Sequence, residues 1–222
     1  MRSLGLVLAL FVSALSAFAA EVPIRTLYLI RHGIYDPKPG ANEKTELGLN
    51  DLGREQAALV GARLAAMPVK FDALVSSELT RARDTGDIMA EKLGRTCARD
   101  GRLNETTPPG AGLKPEQIDA GAEAQLQAAW EHYTAPNAAG DTHEVLVCHG
   151  NVIRWFVCRA LGVDAKQWTR MEIANCSITL IQVRGDGRVR LQQFNEIAHV
   201  PLEKQTWSGN GPAWPLPANR KK

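Results

Sequence analysis

The chain has 222 residues, 45% of them hydrophobic, and a formal net charge of +2 at pH 7. This length and this apolar content suit one domain of α/β size with a single sizeable core. The charge balance and the lack of a long run of like charge give nucleic-acid binding no support, so we expect no nucleic-acid partner.

The first twenty residues have the pattern of a secretory leader. Arg2 precedes the apolar run LGLVLALFVSAL, and SAFAAE supplies an A-x-A cleavage site. A run of about a dozen apolar residues is shorter than the roughly twenty that a membrane span needs. We therefore expect a signal peptide at residues 1–19, no membrane span in the mature protein, and a periplasmic or secreted location. A packed N-terminal helix or an uncleaved anchor remains the alternative.

The mature chain alternates strand and helix patterns over most of its length. The spacing of apolar residues predicts strands at residues 26–31, 73–77 and 145–148, with a weaker one in TCARDGRL. Helices are predicted after Asn50 and Ser77 as caps, over residues 115–133, and in NVIRWFVCRALG, which Gly162 ends.

The last part of the chain has a different pattern. SITLIQVR and RVRLQQF flank GDG and predict an antiparallel hairpin at one side of the sheet. Together these elements predict an α/β fold, a three-layer α/β/α sandwich with a mostly parallel sheet. One domain is expected over residues 20–205, followed by an irregular Pro- and Gly-rich tail over 206–222.

The four cysteines leave the question of disulfides open. Cys148 and Cys158 lie in apolar elements where buried free thiols are common, so a bridge between them is a minority interpretation. Cys97 and Cys176 could pair if their geometry allowed it. No CxxC or HxxxH spacing occurs, so the sequence predicts no metal site.

Two predicted strands end in the same way. TLYLIRHG ends on Arg31 and His32, and EVLVCHG ends on His149 and Gly150. In open α/β sheets, ligands bind beyond the carboxyl ends of the strands, so the two histidines are expected to meet in one crevice. The helix that begins near Asn151 would direct free N–H groups at the same crevice, and Gly150 lets its backbone approach a ligand.

This crevice is predicted to bind a phosphate group. The guanidinium of Arg31 matches the geometry of phosphate oxygens, and Arg81 follows a third strand end. Taken singly, a histidine after a strand is more often a loop residue, Arg81 a surface residue and Glu105 a loop acid. The joint pattern favours a site over these separate ordinary roles.

Five motifs resemble, in order, those of the histidine phosphatase superfamily, which has the phosphoglycerate-mutase-like fold. They are LIRHG, LNDLGREQA, SSELTRARDT, LNE and VCHGNVIR, within a match over residues 27–190. RHG alone is weak support, whereas five motifs in order are strong support. HGNVIRWFVCRALG and SITLIQVRGDGRV most resemble the mitochondrial, phosphoglycerate-mutase-like serine/threonine protein phosphatases.

The resemblance implies a role for each of five residues. His32 would be the nucleophile that takes the phosphoryl group, and Arg31 and Arg81 would bind its oxygens. His149 would complete the phosphate pocket, and Glu105 would act as general acid and base. No metal or other cofactor is expected, because two guanidinium groups and a helix N-terminus supply the positive charge that phosphoryl transfer needs.

The sequence also departs from the mutases of this superfamily. The stretch after Glu105 lacks the long basic segment with which mutases enclose phosphoglycerate, and the loop IYDPKPGANEKT differs from theirs. An open site favours hydrolysis of a phosphohistidine by water. We expect an exported, metal-independent phosphatase that acts on a phosphorylated small molecule or a phosphoprotein, and the sequence predicts no particular oligomeric state. The alternatives are a mutase-type phosphotransferase and a non-catalytic phosphate- or phosphoprotein-binding module.

Overall fold

The computed structural model of the protein describes residues 22–137, 139–209 and 211. The expected signal peptide and most of the expected tail lie outside these residues. Within the described ranges, no helix has both the length and the apolar character that crossing a membrane requires.

In the described ranges, six strands form one mixed sheet. In chain order they are β1 (Ile24–Arg31), β2 (Ala73–Ser76), β3 (Ala98–Arg99), β4 (Thr142–Cys148), β5 (Ile178–Arg184) and β6 (Val189–Glu196). Their spatial order is β3-β2-β4-β1-β5-β6. Neighbours among β3, β2, β4 and β1 pair in parallel, whereas β5 pairs antiparallel with both β1 and β6. The mostly parallel sheet and the C-terminal hairpin are therefore confirmed.

Four α-helices in this part of the chain cover the two faces of the sheet. They are α1 (Asp51–Ala65), α2 (Thr80–Leu93), α3 (Ala122–Tyr133) and α4 (Gly150–Leu161). Alternate residues of β1 enter opposite cores: Leu27 and Leu29 pack with α3 and α4, whereas Tyr28 and Ile30 pack with α1 and α2. The expected three-layer sandwich is confirmed by these two apolar layers.

Helix ends agree with the sequence where capping chemistry is strong. The Asn50 side chain accepts from the backbone N–H of Gly53 at 2.9 Å and caps α1. Gly162 adopts a left-handed conformation with φ of 68° and ends α4, a conformation that glycine adopts without steric cost. These two predicted boundaries are confirmed.

Two helix starts differ from the sequence-based expectation. Ser77 was expected to cap α2, but α2 begins at Thr80, with Leu79 at the cap position and no side-chain cap. The helix expected over 115–133 is interrupted, because only a short 3-10 turn forms at Pro115–Gln117 and α3 begins after Gly121. Gly121 has φ of 79°, which breaks helical continuity at that residue.

Candidate active site

The carboxyl ends of β1, β4 and β2 lie side by side. The backbone N–H of His32 donates to Cys148 O at 3.0 Å, and the N–H of Ser77 donates to Val147 O at 2.9 Å. The parallel hydrogen-bonding pattern therefore continues one residue beyond the ends of β1 and β2. The centroids of the His32 and His149 rings lie 5.0 Å apart. The sheet register itself brings His32 and His149 together.

His32 is buried and has one defined tautomer. Its Nδ1 lies 2.8 Å from Gly33 O, and because a carbonyl can only accept, Nδ1 carries the proton. Nε2 consequently keeps its lone pair. Burial lowers the pKa of His32 well below its usual range, and Arg31 and Arg81 lower it further. The imidazole is thus neutral at physiological pH, as a nucleophile must be.

His149 is fully buried and is held through Ser77. Its Nε2 lies 2.8 Å from Ser77 Oγ, which donates its only proton to Asn104 Oδ1 at 2.9 Å. The proton between His149 and Ser77 therefore belongs to His149 Nε2. Its Nδ1 is buried and has no hydrogen-bond partner among the described residues. Burial, then His32 and the two arginines, lower the pKa of His149 well below its usual range.

The two predicted phosphate-binding arginines are both close to His32. Arg81 is 3% exposed, and its Nε donates to His32 Nε2 at 3.3 Å. Arg31 donates through Nη1 to Ile173 O at 2.6 Å, whereas its buried Nε has no partner in the described chain. Burial lowers the pKa of Arg31 to about 10, and it remains cationic at neutral pH. An N–H donor aimed into a buried crevice is suited to an anion.

Glu105 lies close enough to both arginines to feel their charge. Its Oε1 is buried without a hydrogen-bond partner among the described residues. Burial raises the pKa of Glu105 to about 7, against the opposing influence of Arg81, Arg31 and Arg154. A carboxyl that titrates near neutral pH can both donate and accept a proton, which is the requirement for general acid–base catalysis.

Gly150 and Asn151 form the start of α4 beside the crevice. A Cβ placed on Gly150 would lie 3.6 Å from Arg31 Nε, so the glycine leaves room next to that donor. The Asn151 side chain donates to Thr106 O at 3.0 Å and accepts from Arg154 at 2.6 Å. Asn151 therefore anchors the segment that follows Glu105 with its side chain, and its backbone N–H at the start of α4 is the candidate phosphate donor.

Several residues that the sequence did not single out support this arrangement. Arg154 donates to Gly150 O, Met171 O and Asn151 Oδ1 and lies over the Trp168 ring at 4.7 Å. Asn175 donates to the backbone carbonyl of His32 at 2.8 Å from 143 positions along the chain. Arg154 follows the second His-Gly unit within one turn of helix, a signal that could have identified it. Asn175 carries no local signal.

The arrangement combines a neutral imidazole, two cations and a titratable carboxyl group in one crevice. The unpartnered Arg31 Nε–H donor, the unprotonated His32 Nε2 and a carboxyl group with a pKa of about 7 together match the demands of phosphoryl transfer. Within the described part of the chain, no three His, Cys, Asp or Glu side chains converge as metal ligands would. All four cysteines, Cys97, Cys148, Cys158 and Cys176, are free thiols.

Comparison with protein families identifies a single superfamily. The profile described as "Histidine phosphatase superfamily (branch 1)" matches residues 27–143 and 107–197. Rat serine/threonine-protein phosphatase PGAM5, mitochondrial, is 38% identical over 83% of this chain and 67% of its own length. The human protein of the same name is 38% identical over 83% of this chain and 66% of its own length. This chain thus spans about two thirds of the length of these relatives.

Solved structures give the same fold. A phosphoglycerate mutase from Plasmodium falciparum has a TM-score of 0.57 at 26% identity, over 82% of this chain and 96% of that chain. A mycobacterial glucosyl-3-phosphoglycerate phosphatase, solved with inorganic phosphate, has a TM-score of 0.55 at 27% identity. The match covers 80% of this chain and all of the other. The expected phosphoglycerate-mutase-like fold is confirmed.

The expected location is wrong by the same comparison. The periplasmic or secreted location was inferred from an N-terminal apolar run, but the relatives from rat, human and Caenorhabditis briggsae are all named as mitochondrial. An apolar run after a basic residue indicates a segment that can enter a membrane, and it does not by itself distinguish one compartment from another.

The predicted enzyme class is confirmed, because the family and its named relatives are phosphatases. The resemblance of HGNVIRWFVCRALG to the mitochondrial serine/threonine phosphatases is confirmed as well, by the identity over most of the chain. This chain belongs to the histidine phosphatase superfamily and is a phosphatase.

Proposed function

We propose that the protein hydrolyses phosphomonoesters through a phosphohistidine formed on His32, without a metal ion. The observation that carries this proposal is the placement of His32 Nε2. It is an unprotonated nitrogen beside Arg81, in a crevice where Arg31 Nε and Glu105 Oε1 have no partner in the described chain. Buried polar groups without hydrogen-bond partners are costly, so such a set is expected where an anion binds.

The first chemical step is attack on phosphorus. Arg31, Arg81 and the start of α4 hold the phosphoryl oxygens, and the lone pair of His32 Nε2 forms the P–N bond as the P–O bond to the leaving group breaks. Glu105, which a pKa of about 7 leaves substantially protonated at neutral pH, gives its proton to the departing oxygen. The positive charge of the arginines offsets the charge on the three equatorial oxygens.

The second step regenerates the enzyme. Glu105, now a carboxylate, takes a proton from water, whose oxygen attacks phosphorus as the P–N bond breaks. The electron pair returns to His32 Nε2, and inorganic phosphate leaves. His149 contributes through Nδ1, which must gain a proton to donate to a phosphate oxygen, and the negative charge of the phosphate favours that protonation.

The substrate is proposed to be a phosphoprotein that carries phosphoserine or phosphothreonine. The support for this is the serine/threonine-protein phosphatase name of the relatives at 38% identity. A phosphorylated side chain on a polypeptide also needs an accessible site. Between Glu105 and β4, the described chain forms only a 3-10 turn and α3, with no additional domain over the crevice.

A mutase is the second candidate. It is favoured by the structural neighbour from Plasmodium falciparum, which is named as a phosphoglycerate mutase. A mutase must keep water away from its phosphohistidine and return the phosphoryl group to an acceptor. The short connection between Glu105 and α3 favours hydrolysis over such transfer.

Hydrolysis of p-nitrophenyl phosphate in excess chelator tests the proposal. We expect the same turnover with and without chelator, and release of inorganic phosphate in equal amount to nitrophenol. Loss of activity that an added divalent metal restores would refute the metal-independent mechanism. Transfer of the phosphoryl group to a sugar acid in preference to water would favour the mutase. Tight phosphate binding with no turnover would favour a binding module.

A further inference from the structure

The guanidinium of Arg81 is shared between two protein groups. Its Nε donates to His32 Nε2 at 3.3 Å, and its Nη1 donates to Glu43 Oε2 at 2.8 Å. The Arg81 side chain is 3% exposed, whereas that of Glu43 is 50% exposed. A carboxylate at the surface therefore reaches inward to a buried cation of the proposed phosphate site.

The backbone of Glu43 is fixed to the helix that carries Arg81. Glu43 O accepts from the N–H of Thr80 at 2.9 Å and from Thr80 Oγ1 at 3.0 Å. The next residue, Lys44, forms an ion pair with Glu78 at 3.0 Å. These contacts hold the Glu43 segment at the N-terminus of α2, one residue from Arg81. The Glu43–Arg81 pair is thus part of the folded site.

The position of Arg81 in this pair conflicts with catalysis. In-line attack needs the lone pair of His32 Nε2 to point at phosphorus, but that lone pair accepts the Nε–H of Arg81. The Nη1 that would donate to a phosphoryl oxygen is bonded to Glu43. Arg81 also lies over the Tyr35 ring at 4.8 Å, which fixes its plane. A phosphoryl group must replace both contacts to engage Arg81 fully.

We propose that Glu43 is an internal competitor of phosphate: its carboxylate holds Arg81 on the attacking nitrogen until a phosphoryl group displaces it. This inference rests on the proposed function, because it takes Arg81 as a phosphate-binding residue. Glu43 therefore weakens the binding of every phosphate dianion, the product included. Inorganic phosphate is released more readily from a site in which the Glu43 carboxylate can form its ion pair with Arg81 again.

Inhibition by inorganic phosphate during p-nitrophenyl phosphate hydrolysis tests this inference. Glu43→Gln removes the charge and keeps the size, so we expect the inhibition constant of phosphate to fall by about three- to thirtyfold, the range for a charge-assisted contact that is partly screened by solvent. KM for the nitrophenyl ester should fall in the same direction. Glu43→Asp keeps the charge but shortens the reach, and its inhibition constant should fall as well.

Glu46→Gln is the matched control. Glu46 lies in the same loop and accepts from the backbone N–H of Asn42, and its contacts do not include Arg81. The variant removes an equal charge from the same region. We expect its phosphate inhibition constant to stay within about twofold of the wild type, because a charge at the surface and away from the site is screened.

The direction of the change decides the outcome. A higher inhibition constant or a higher KM in Glu43→Gln would mean that Glu43 positions Arg81 for the substrate, which overturns the proposal. An unchanged constant, or an equal fall in Glu43→Gln and Glu46→Gln, would also overturn it. Failure of the proposed function looks different, because the wild-type chain would then fail to hydrolyse the nitrophenyl ester at all.

Discussion

At the scale of single residues, burial decides the protonation of the proposed catalytic groups. Burial disfavours charge, so it lowers the pKa of His32 and raises that of Glu105 to about 7. The same physical effect thus leaves the proposed nucleophile unprotonated and the proposed acid substantially protonated at neutral pH. The nearby arginines lower the pKa of His32 further, and they oppose the rise in the pKa of Glu105, which therefore stays near 7.

Replacement of Glu105 by Gln tests its role as the acid. Glu105→Gln should slow the hydrolysis of alkyl phosphates by roughly a hundredfold or more, because an alkoxide leaving group needs the proton. Nitrophenyl phosphate has a good leaving group and should lose much less. The comparison of kcat/KM for the two esters measures this difference. Equal losses would mean that Glu105 is structural and that another group provides the proton.

The pH dependence of the wild type provides a second test of Glu105. An acid with a pKa of about 7 is protonated below that pH, so kcat/KM for an alkyl phosphate should fall as pH rises through about 7. The slope should approach a tenfold loss for each pH unit above it. Glu105→Gln should lack this descending limb. Persistence of the limb in the variant would assign the titration to a different group.

At the scale of elements, the start of α1 supports the loop that follows His32, the proposed nucleophile. A Cβ on Gly53 would lie 2.0 Å from Ile34 O, and one on Gly33 would lie 2.5 Å from Gly53 O. The backbones of α1 and of the loop after His32 are therefore in direct contact. Since Gly33 O is the acceptor for His32 Nδ1, this contact also fixes the direction of Nε2.

Alanine substitutions at Gly53 and Gly61 should distinguish the effect of a backbone clash on stability from the effect of helix propensity. Gly53→Ala should lower the free energy of unfolding by about 1–3 kcal/mol or more, because backbone atoms must move, and it should lower kcat. Gly61→Ala is the control in the same helix. Its Cβ would lie 3.1 Å from Lys92 Cγ and 3.3 Å from Met89 Cα, which is tight but far from the 2.0 Å approach at Gly53. Because alanine also has the higher helix propensity, Gly61→Ala should cost clearly less stability than Gly53→Ala. Urea unfolding that gives equal stability for both variants would contradict this account.

At the scale of the whole molecule, the sequence predicted the fold well where periodicity and capping agree. The strands that carry His32 and His149, the cap at Asn50 and the stop at Gly162 follow from local chemistry. The prediction of a continuous helix over residues 115–133 was wrong, because Gly121 takes a left-handed conformation. The helical spacing of apolar residues does not report such a break.

The site could be predicted only in part. His32, Arg31 and His149 were identified because strand ends converge in this class of fold, and the structure brings them together. Asn175 was missed because its role depends on a turn far away in sequence, in which the next residue, Cys176, has a positive φ of 55°. A side chain that positions a backbone carbonyl leaves no pattern in the sequence around that carbonyl.

The central claim is that His32, which the sheet places at the carboxyl end of β1, is covalently phosphorylated during turnover. The direct measurement is to quench the enzyme with labelled substrate in alkali and to locate the label by peptide mapping. A P–N bond is stable to base and labile to acid. We expect label on a single peptide that contains LIRHG, its release by brief acid, and no label or activity in His32→Ala. Label on a serine, or near-normal turnover in His32→Ala, would contradict the account.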